Sequence, residues 1–284
     1  MTPHPETFHT VPLRLGEGIW QALQERCRRS GESLDHVIRS ALAEALDLEL
    51  HTIYQVSTAG ALVEGVFQGC VQVADLLRHG DVGLGTFEGL DGEGILLEGR
   101  CWQARADGRV VAVPPQTLCP FWVVTRFRAD QTLELTDIRS WADLTERLDG
   151  CRPSKNVFTA LRLRGSFRAI KVRVACKAPP GSDLVSATRQ QAEFRFVDLA
   201  GTLVGFWTPA WARTINIPGY HLHLLSDDLA HGGHVLDLQA DALTVELHTE
   251  DHVQLVLPDT PEFLSANLSG DPGAALAQAE GDQR

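Results

Sequence analysis

The chain has 284 residues, enough for one large domain or two modest ones with a sizeable core. With 44% hydrophobic and 22% charged residues it has an ordinary globular composition, and a formal net charge of -12 argues against broad binding to nucleic acid or to an anionic membrane. No apolar run is long enough for a membrane span, and the opening MTPHPETFHT lacks the basic start and apolar stretch of a secretory signal, so we expect a cytoplasmic protein with no membrane partner.

Residues 11–46 differ in pattern from the rest of the chain. VPLRL alternates like a short strand, and GEGIWQALQERCRRSGESLDHVIRSALAEAL reads as two short helices broken at Ser30-Gly31. Ile19, Leu23 and Cys27 share one helical face, and Leu34, Ile38, Leu42 and Ala45 share another, with Ser33 as the N-cap. Strand, helix, turn, helix of this size is similar to the ribbon-helix-helix module, which pairs two chains and often binds DNA. Pro12 spoils the strand, and acidic residues are interleaved with the arginines. We therefore expect residues 1–50 to be a helical extension that dimerises the chain or packs on the main domain, with a homodimer expected and nucleic-acid binding as the lesser reading.

From His51 onward the pattern is strand-like: VVTRF, TALRLRGSFRAIKVRVAC, AEFRFVDLAGTLVGFWT, YHLHLLS, HVLDLQ, LTVELH and VQLVL are rich in β-branched residues and punctuated by turn formers. Ala-Gly-Thr at 200–202 and Ala-His-Gly-Gly at 230–233 sit between such runs as hairpin turns would. Helices are fewer: VQVADLLRHG, SWADLTERLDG and the tail GAALAQAE. The expected class is α+β, mostly β, with mixed and antiparallel sheets, few helices and a small N-terminal helical extension. The expected domains are residues 1–50 and 51–284.

The six cysteines (Cys27, Cys70, Cys101, Cys119, Cys151 and Cys176) include no CxxC pair, which suits neither a zinc knuckle nor a dense disulfide framework. A metal would have to be held by histidine and carboxylate. In PGYHLHLLSDDLAHGGHVLDLQ, a strand through 220–225 projects His221 and His223 to one face. If 226–233 turns the chain back, His234 joins them, and three imidazoles from one β-hairpin form three sides of a zinc site with room for a substrate. His231, in the turn, is read as exposed rather than as a ligand.

GYHLHLLSDDLAHGGHVLD also resembles the acetolactate decarboxylase family. So do HTIYQVSTAGALVEGVFQG from residue 51, GDVGLGTFEGLDGEGILLEG from residue 80, RGSFRAIKVR from residue 164 and GTLVGFWTPAWARTINIPGY from residue 201. These motifs run in order from about residue 51 to the C-terminus, and the first 50 residues lie outside them. The resemblance implies Zn2+ on His221, His223 and His234, an active-site glutamate at Glu93, a substrate-facing arginine at Arg173, a site threonine at Thr86 and a tail glutamate at Glu280. Glu93 and Glu280 are implied both as metal ligands and as candidate proton donors. Without the resemblance, Glu93 reads as an exposed turn carboxylate, Arg173 as an outward strand charge and Glu280 as part of a disordered tail.

The implied reaction converts (S)-2-acetolactate to (R)-acetoin and CO2, a step in acetoin and butanediol biosynthesis. Losing CO2 leaves electrons that the neighbouring ketone must accept as an enediolate, and zinc would stabilise that charge as a Lewis acid. Arg173 would orient the departing carboxylate. Two alternatives stay open at this point. One is another zinc-dependent hydrolase or isomerase, since three histidines on a β domain serve many reactions. The other is a metabolite-sensing DNA-binding regulator.

Overall fold

The computed structural model describes residues 11–30, 33–45, 51–189 and 191–280. The chain divides into two compact units, the first ending at Leu50 and the second starting at His51. In the first unit, α1 (Glu17–Ser30) and α2 (Leu34–Ala45) are the two helices that the apolar spacing predicts. Glu17 opens α1 and Arg28 and Arg29 close it, the charge order that a helix dipole favours. Val37 is buried, whereas Ile19 and Leu42, both on the predicted stripes, are exposed. The expected strand at 11–15 does not form. A strand needs a partner for its amides; none pairs with this segment among the described residues, and Pro12 has no amide to offer.

The second unit begins with β1 (Thr52–Val56), α3 (Ala59–Val63), the short β2 (Val71–Gln72) and α4 (Val73–His79). A meander comes next: β3 (Val82–Thr86), β4 (Glu93–Leu97), β5 (Arg100–Ala104) and β6 (Val110–Ala112). The chain then runs through β7 (Leu118–Cys119), β8 (Phe121–Thr125), β9 (Gln131–Ile138) and α5 (Trp141–Asp149). Beyond these lie β10 (Phe158–Val174), α6 (Leu184–Thr188) and β11 (Ala192–Thr208). The unit ends with β12 (Gly219–Ser226), β13 (Gly232–Glu250), β14 (His252–Val256), α7 (Pro261–Ser265) and α8 (Gly273–Glu280).

These strands form a seven-stranded sheet in the order β14-β1-β8-β3-β4-β5-β6, a five-stranded sheet in the order β10-β11-β12-β13-β9 and a two-stranded pair of β2 with β7. The first is mixed, because β1 runs parallel to β14 and antiparallel to β8. The second is antiparallel, and an added pairing of β10 with β13 closes it on itself. β3 and β8 are buried along their whole length, which is why VGLGT and FWVVT show no polar alternation. Ile53, Leu84, Ile95 and Phe121 of the first sheet pack against Ala160, Val204 and Phe206 of the second. Each large apolar side chain buried there contributes roughly 1.5–3 kcal/mol and holds the two sheets at a set spacing.

Two strand expectations are corrected. Residues 200–202 are not a turn: β11 runs unbroken for 17 residues, with Gly201 paired to Gly165 on one side and Ser226 on the other. A Cβ at Gly201 would stand 2.8 Å from the Leu225 carbonyl oxygen, so glycine serves close strand approach there. HVLDLQ and LTVELH are likewise one strand, the 19-residue β13. The Ala-His-Gly-Gly turn does form, and the Ser226 amide donates to the His231 carbonyl across it.

Candidate metal centre

Strand register assembles this site. Gly233 and His234 at the start of β13 return beside β12, and His223 pairs with His234. His234 in turn pairs with Arg173 on β10. Directly opposed residues project to the same face, so Arg173, His234 and His223 form a row across three adjacent strands, and His221 lies two residues along. The three imidazoles each offer one nitrogen, and these lie within 4.8 Å of one another. The Nε2 atoms of His221 and His223 are 3.1 Å apart. All three side chains are buried.

Second contacts orient the rings. His223 Nδ1 donates to the Gly94 carbonyl at 2.8 Å, leaving a lone pair on the Nε2 that faces the cluster. Gly94 is glycine because Trp122 lies across it: a Cβ would meet Trp122 Cζ2 at 2.2 Å. The Trp122 indole donates to the Thr86 carbonyl at 2.8 Å, and Thr86 Oγ1 donates to the Gly92 carbonyl at 2.9 Å. Thr86 pairs with Glu93, so the same brace holds the start of β4 where Glu93 enters the site.

Two carboxylates complete the cluster. Glu93 Oε2 is 3.5 Å from His223 Nε2, and its Oε1 accepts from the Ala175 amide at 3.0 Å. Glu280, at the end of α8, stands 3.5 Å from His234 Nε2. Arg173 donates to Glu280 at 2.7 Å and also to the Ala279 carbonyl. Arg173, Glu93 and Glu280 are thus inside the protein, and the readings of outward charge, exposed turn and disordered tail are corrected. Long-range pairing and the docking of α8 enclose all three. His231 lies half-buried against Phe196, outside the cluster.

Burial sets the protonation states. It lowers His223 to about 4, and it takes His221 and His234 well below the usual histidine range, so all three rings are neutral at pH 7. Burial pushes Glu93 up to about 7 against the pull of Arg173, and it raises Glu280 in the same way. The His221 Nδ1 is buried without a hydrogen-bond partner. Three neutral imidazoles converging beside two carboxylates are the donor set of a borderline divalent cation such as zinc. The residues present therefore fit the metal that the hairpin suggests.

The cavity over the histidines is also walled by Leu62, Phe121, Leu184 and Ile217. These apolar walls, the Gly94 carbonyl and the Ala175 amide were missed by sequence reasoning. Backbone groups carry no residue-type signal, and a wall leucine looks like any core leucine. All six cysteines are free thiols.

A sequence model described as alpha-acetolactate decarboxylase matches residues 53–270. The chain belongs to the alpha-acetolactate decarboxylase family. It is 40% identical to the alpha-acetolactate decarboxylase of Methylococcus capsulatus over 246 residues, covering 86% of this chain and 95% of that one. It is 35% identical to the Bacillus licheniformis enzyme, covering 86% and 97% of the two chains. The crystal structure of the Bacillus subtilis strain 168 alpha-acetolactate decarboxylase superposes with a TM-score of 0.78 at 34% identity, covering 81% of this chain and 98% of that one. Membership makes the chain a decarboxylase, in place of the hydrolase and isomerase readings of residues 51–284. The mostly-β architecture expected from the sequence is the architecture of this family. Among the described residues no helix is long and apolar enough to cross a membrane.

Proposed function

We propose that this family member converts (S)-2-acetolactate to (R)-acetoin and CO2 at a zinc centre held by His221, His223 and His234, with Glu93 and Glu280 beside the metal. The observation that carries this reading is the convergence of three buried neutral imidazoles with two carboxylates and one arginine in a single cavity. Zinc there would supply Lewis acidity for the negative charge that develops on the substrate as CO2 leaves.

The side chains divide the remaining work. Arg173, buried and forked, binds the substrate carboxylate and aims its bond to the adjacent carbon for cleavage. The apolar wall of Leu62, Leu184 and Ile217 excludes bulk water, which strengthens each charge interaction inside. Glu93, held 3.5 Å from His223 with its other oxygen on the Ala175 amide, is placed to deliver a proton to one face of the carbanionic carbon, giving a single enantiomer. Glu280 keeps Arg173 in place and is the second candidate donor. Thr86 lines the cavity and fixes the loop that carries Glu93.

The test is acetoin formation from racemic acetolactate, with and without chelator, on the parent chain and His223→Ala. We expect His223→Ala to lose bound zinc and turnover together while keeping its far-ultraviolet circular dichroism. Retained zinc with full activity would sink the assignment.

A further inference from the structure

β13 carries a second set of ligand-type side chains at its opposite end. His248, near the end of the strand, is fully buried, and its ring stacks on that of His51 with centroids 4.6 Å apart. Asp130, just before β9, reaches into the same place from an exposed segment. His51, Asp130 and His248 each offer one ligand atom, all within 4.8 Å of one another. We propose that these three residues form a second divalent-cation site of zinc type, separate from the catalytic one, with Glu250 behind His248.

Three observations support a cation there. Neither ring nitrogen of His248 makes a hydrogen bond shorter than 3.5 Å, although the residue has no exposure to water. Its Nδ1 stands 3.6 Å from Asp130 and its Nε2 3.7 Å from Glu250. A spacing of 3.6 Å is long for a hydrogen bond and close to the separation of two ligands on one zinc, roughly 3.4 Å for bonds near 2.1 Å in a tetrahedron. Next, His51 donates through Nδ1 to the Thr249 carbonyl at 2.8 Å, which puts the lone pair of a neutral ring on Nε2. This is the arrangement of a ligating histidine, and it repeats what Gly94 does for His223. Finally, Glu250 is buried with both carboxylate oxygens unbonded, placed to take the far side of His248 as a carboxylate behind a metal-bound imidazole.

Burial would lower His248, yet Asp130 and Glu250 outweigh it and raise the ring above its ordinary range. The same two carboxylates draw a divalent cation. The exposed edge of Asp130 leaves an entry path, and water would fill the fourth position. His51 precedes β1 of the seven-stranded sheet, Asp130 lies in the connection from β8 to β9, and His248 belongs to the five-stranded sheet. A cation there would clip the two sheets together far along the strand from the decarboxylation site.

The experiment loads chelator-stripped full-length protein with Zn(II), removes loose metal by gel filtration and counts bound zinc by mass spectrometry. We expect two equivalents in the parent chain and one in both His51→Ala and Asp130→Asn, with acetoin formation in those variants within about two-fold of the parent. Asp130→Asn keeps the side-chain shape and an acceptor for the Thr249 amide, so a lost equivalent there is not a folding defect. Two equivalents retained in both variants would overturn the site. So would a single parent equivalent that His223→Ala abolishes, because a proton shared by His248 and its carboxylates would then be the occupant. A single equivalent that survives His223→Ala but is lost in His51→Ala would support this site and remove the catalytic one.

Discussion

Arg173 connects the strands to the tail. Its guanidinium is buried, pairs with Glu280 and binds the Ala279 carbonyl, so one side chain both faces the cavity and fastens α8. Truncating one member of a buried, hydrogen-bonded charge pair costs about 2–5 kcal/mol, because the other charge is left unpaired. We expect Arg173→Ala to lower kcat/KM by roughly 100-fold or more with zinc content unchanged, and Arg173→Lys to recover part of it without the fork geometry. Metal analysis beside steady-state kinetics checks both. Glu93 gives a pH signature of its own. Burial raises it from 4.5 to about 7, so across that interval the folded metal-free chain holds a proton that the unfolded chain has released. Its contribution to stability is therefore fully present below about 4.5 and is lost as pH rises through about 7. For chelated protein, the melting temperature of Glu93→Gln should gain on the parent steadily between pH 5 and pH 7.5. A constant gap would mean that Glu93 does not titrate there.

At the scale of elements, α8 is the piece whose docking completes the site. Leu276 and Ala279 are buried in the main core, and the helix ends on Glu280. Because α8 adds to a fold whose sheets are already paired, ending the chain after Ser269 should leave the circular dichroism nearly unchanged. The same truncation should reduce acetoin formation by roughly two orders of magnitude through loss of Glu280 and of the brace on Arg173. Full activity in the truncated chain would remove Glu280 from the site. Helices α4, α5 and α8 were legible because each spans about two turns or more of apolar spacing. The five-residue α3, α6 and α7 were not: each has one turn, and side-chain caps from Thr58, Asp183 and Thr260 hold it. Ala-Gly-Thr was misread for a related reason, since glycine marks turns and close strand approach alike and the choice depends on the neighbouring strand.

At the scale of the whole molecule, the two units differ in what they can do alone. The second unit contains every residue of the candidate centre, and its catalytic cavity is walled by residues of that unit. We propose that residues 51–284 are the decarboxylase domain and that 1–50 is an added module joining two copies, a reading supported by the exposed apolar Ile19 and Leu42. A chain starting at residue 51 should keep kcat/KM within about two-fold of the parent while its mass by light scattering falls from dimer to monomer. An unchanged mass would place self-association outside the extension.

The sequence by itself determined the things that depend on local periodicity and on ordered motifs. Strand alternation put His221 and His223 on one face, the turn at 230–233 returned His234 to them, and five motifs in order identified the family. The surroundings of those histidines were implied in the sequence only by the family resemblance, and tertiary structure supplies the physical reason for them. Arg173 lies opposite His234 through pairing between strands some 60 residues apart in sequence. Glu280 arrives on a docked terminal helix, and Gly94 offers its carbonyl because Trp122 fills the space beside it. Such placements depend on register and packing between distant segments, and residue type at one position carries no record of them.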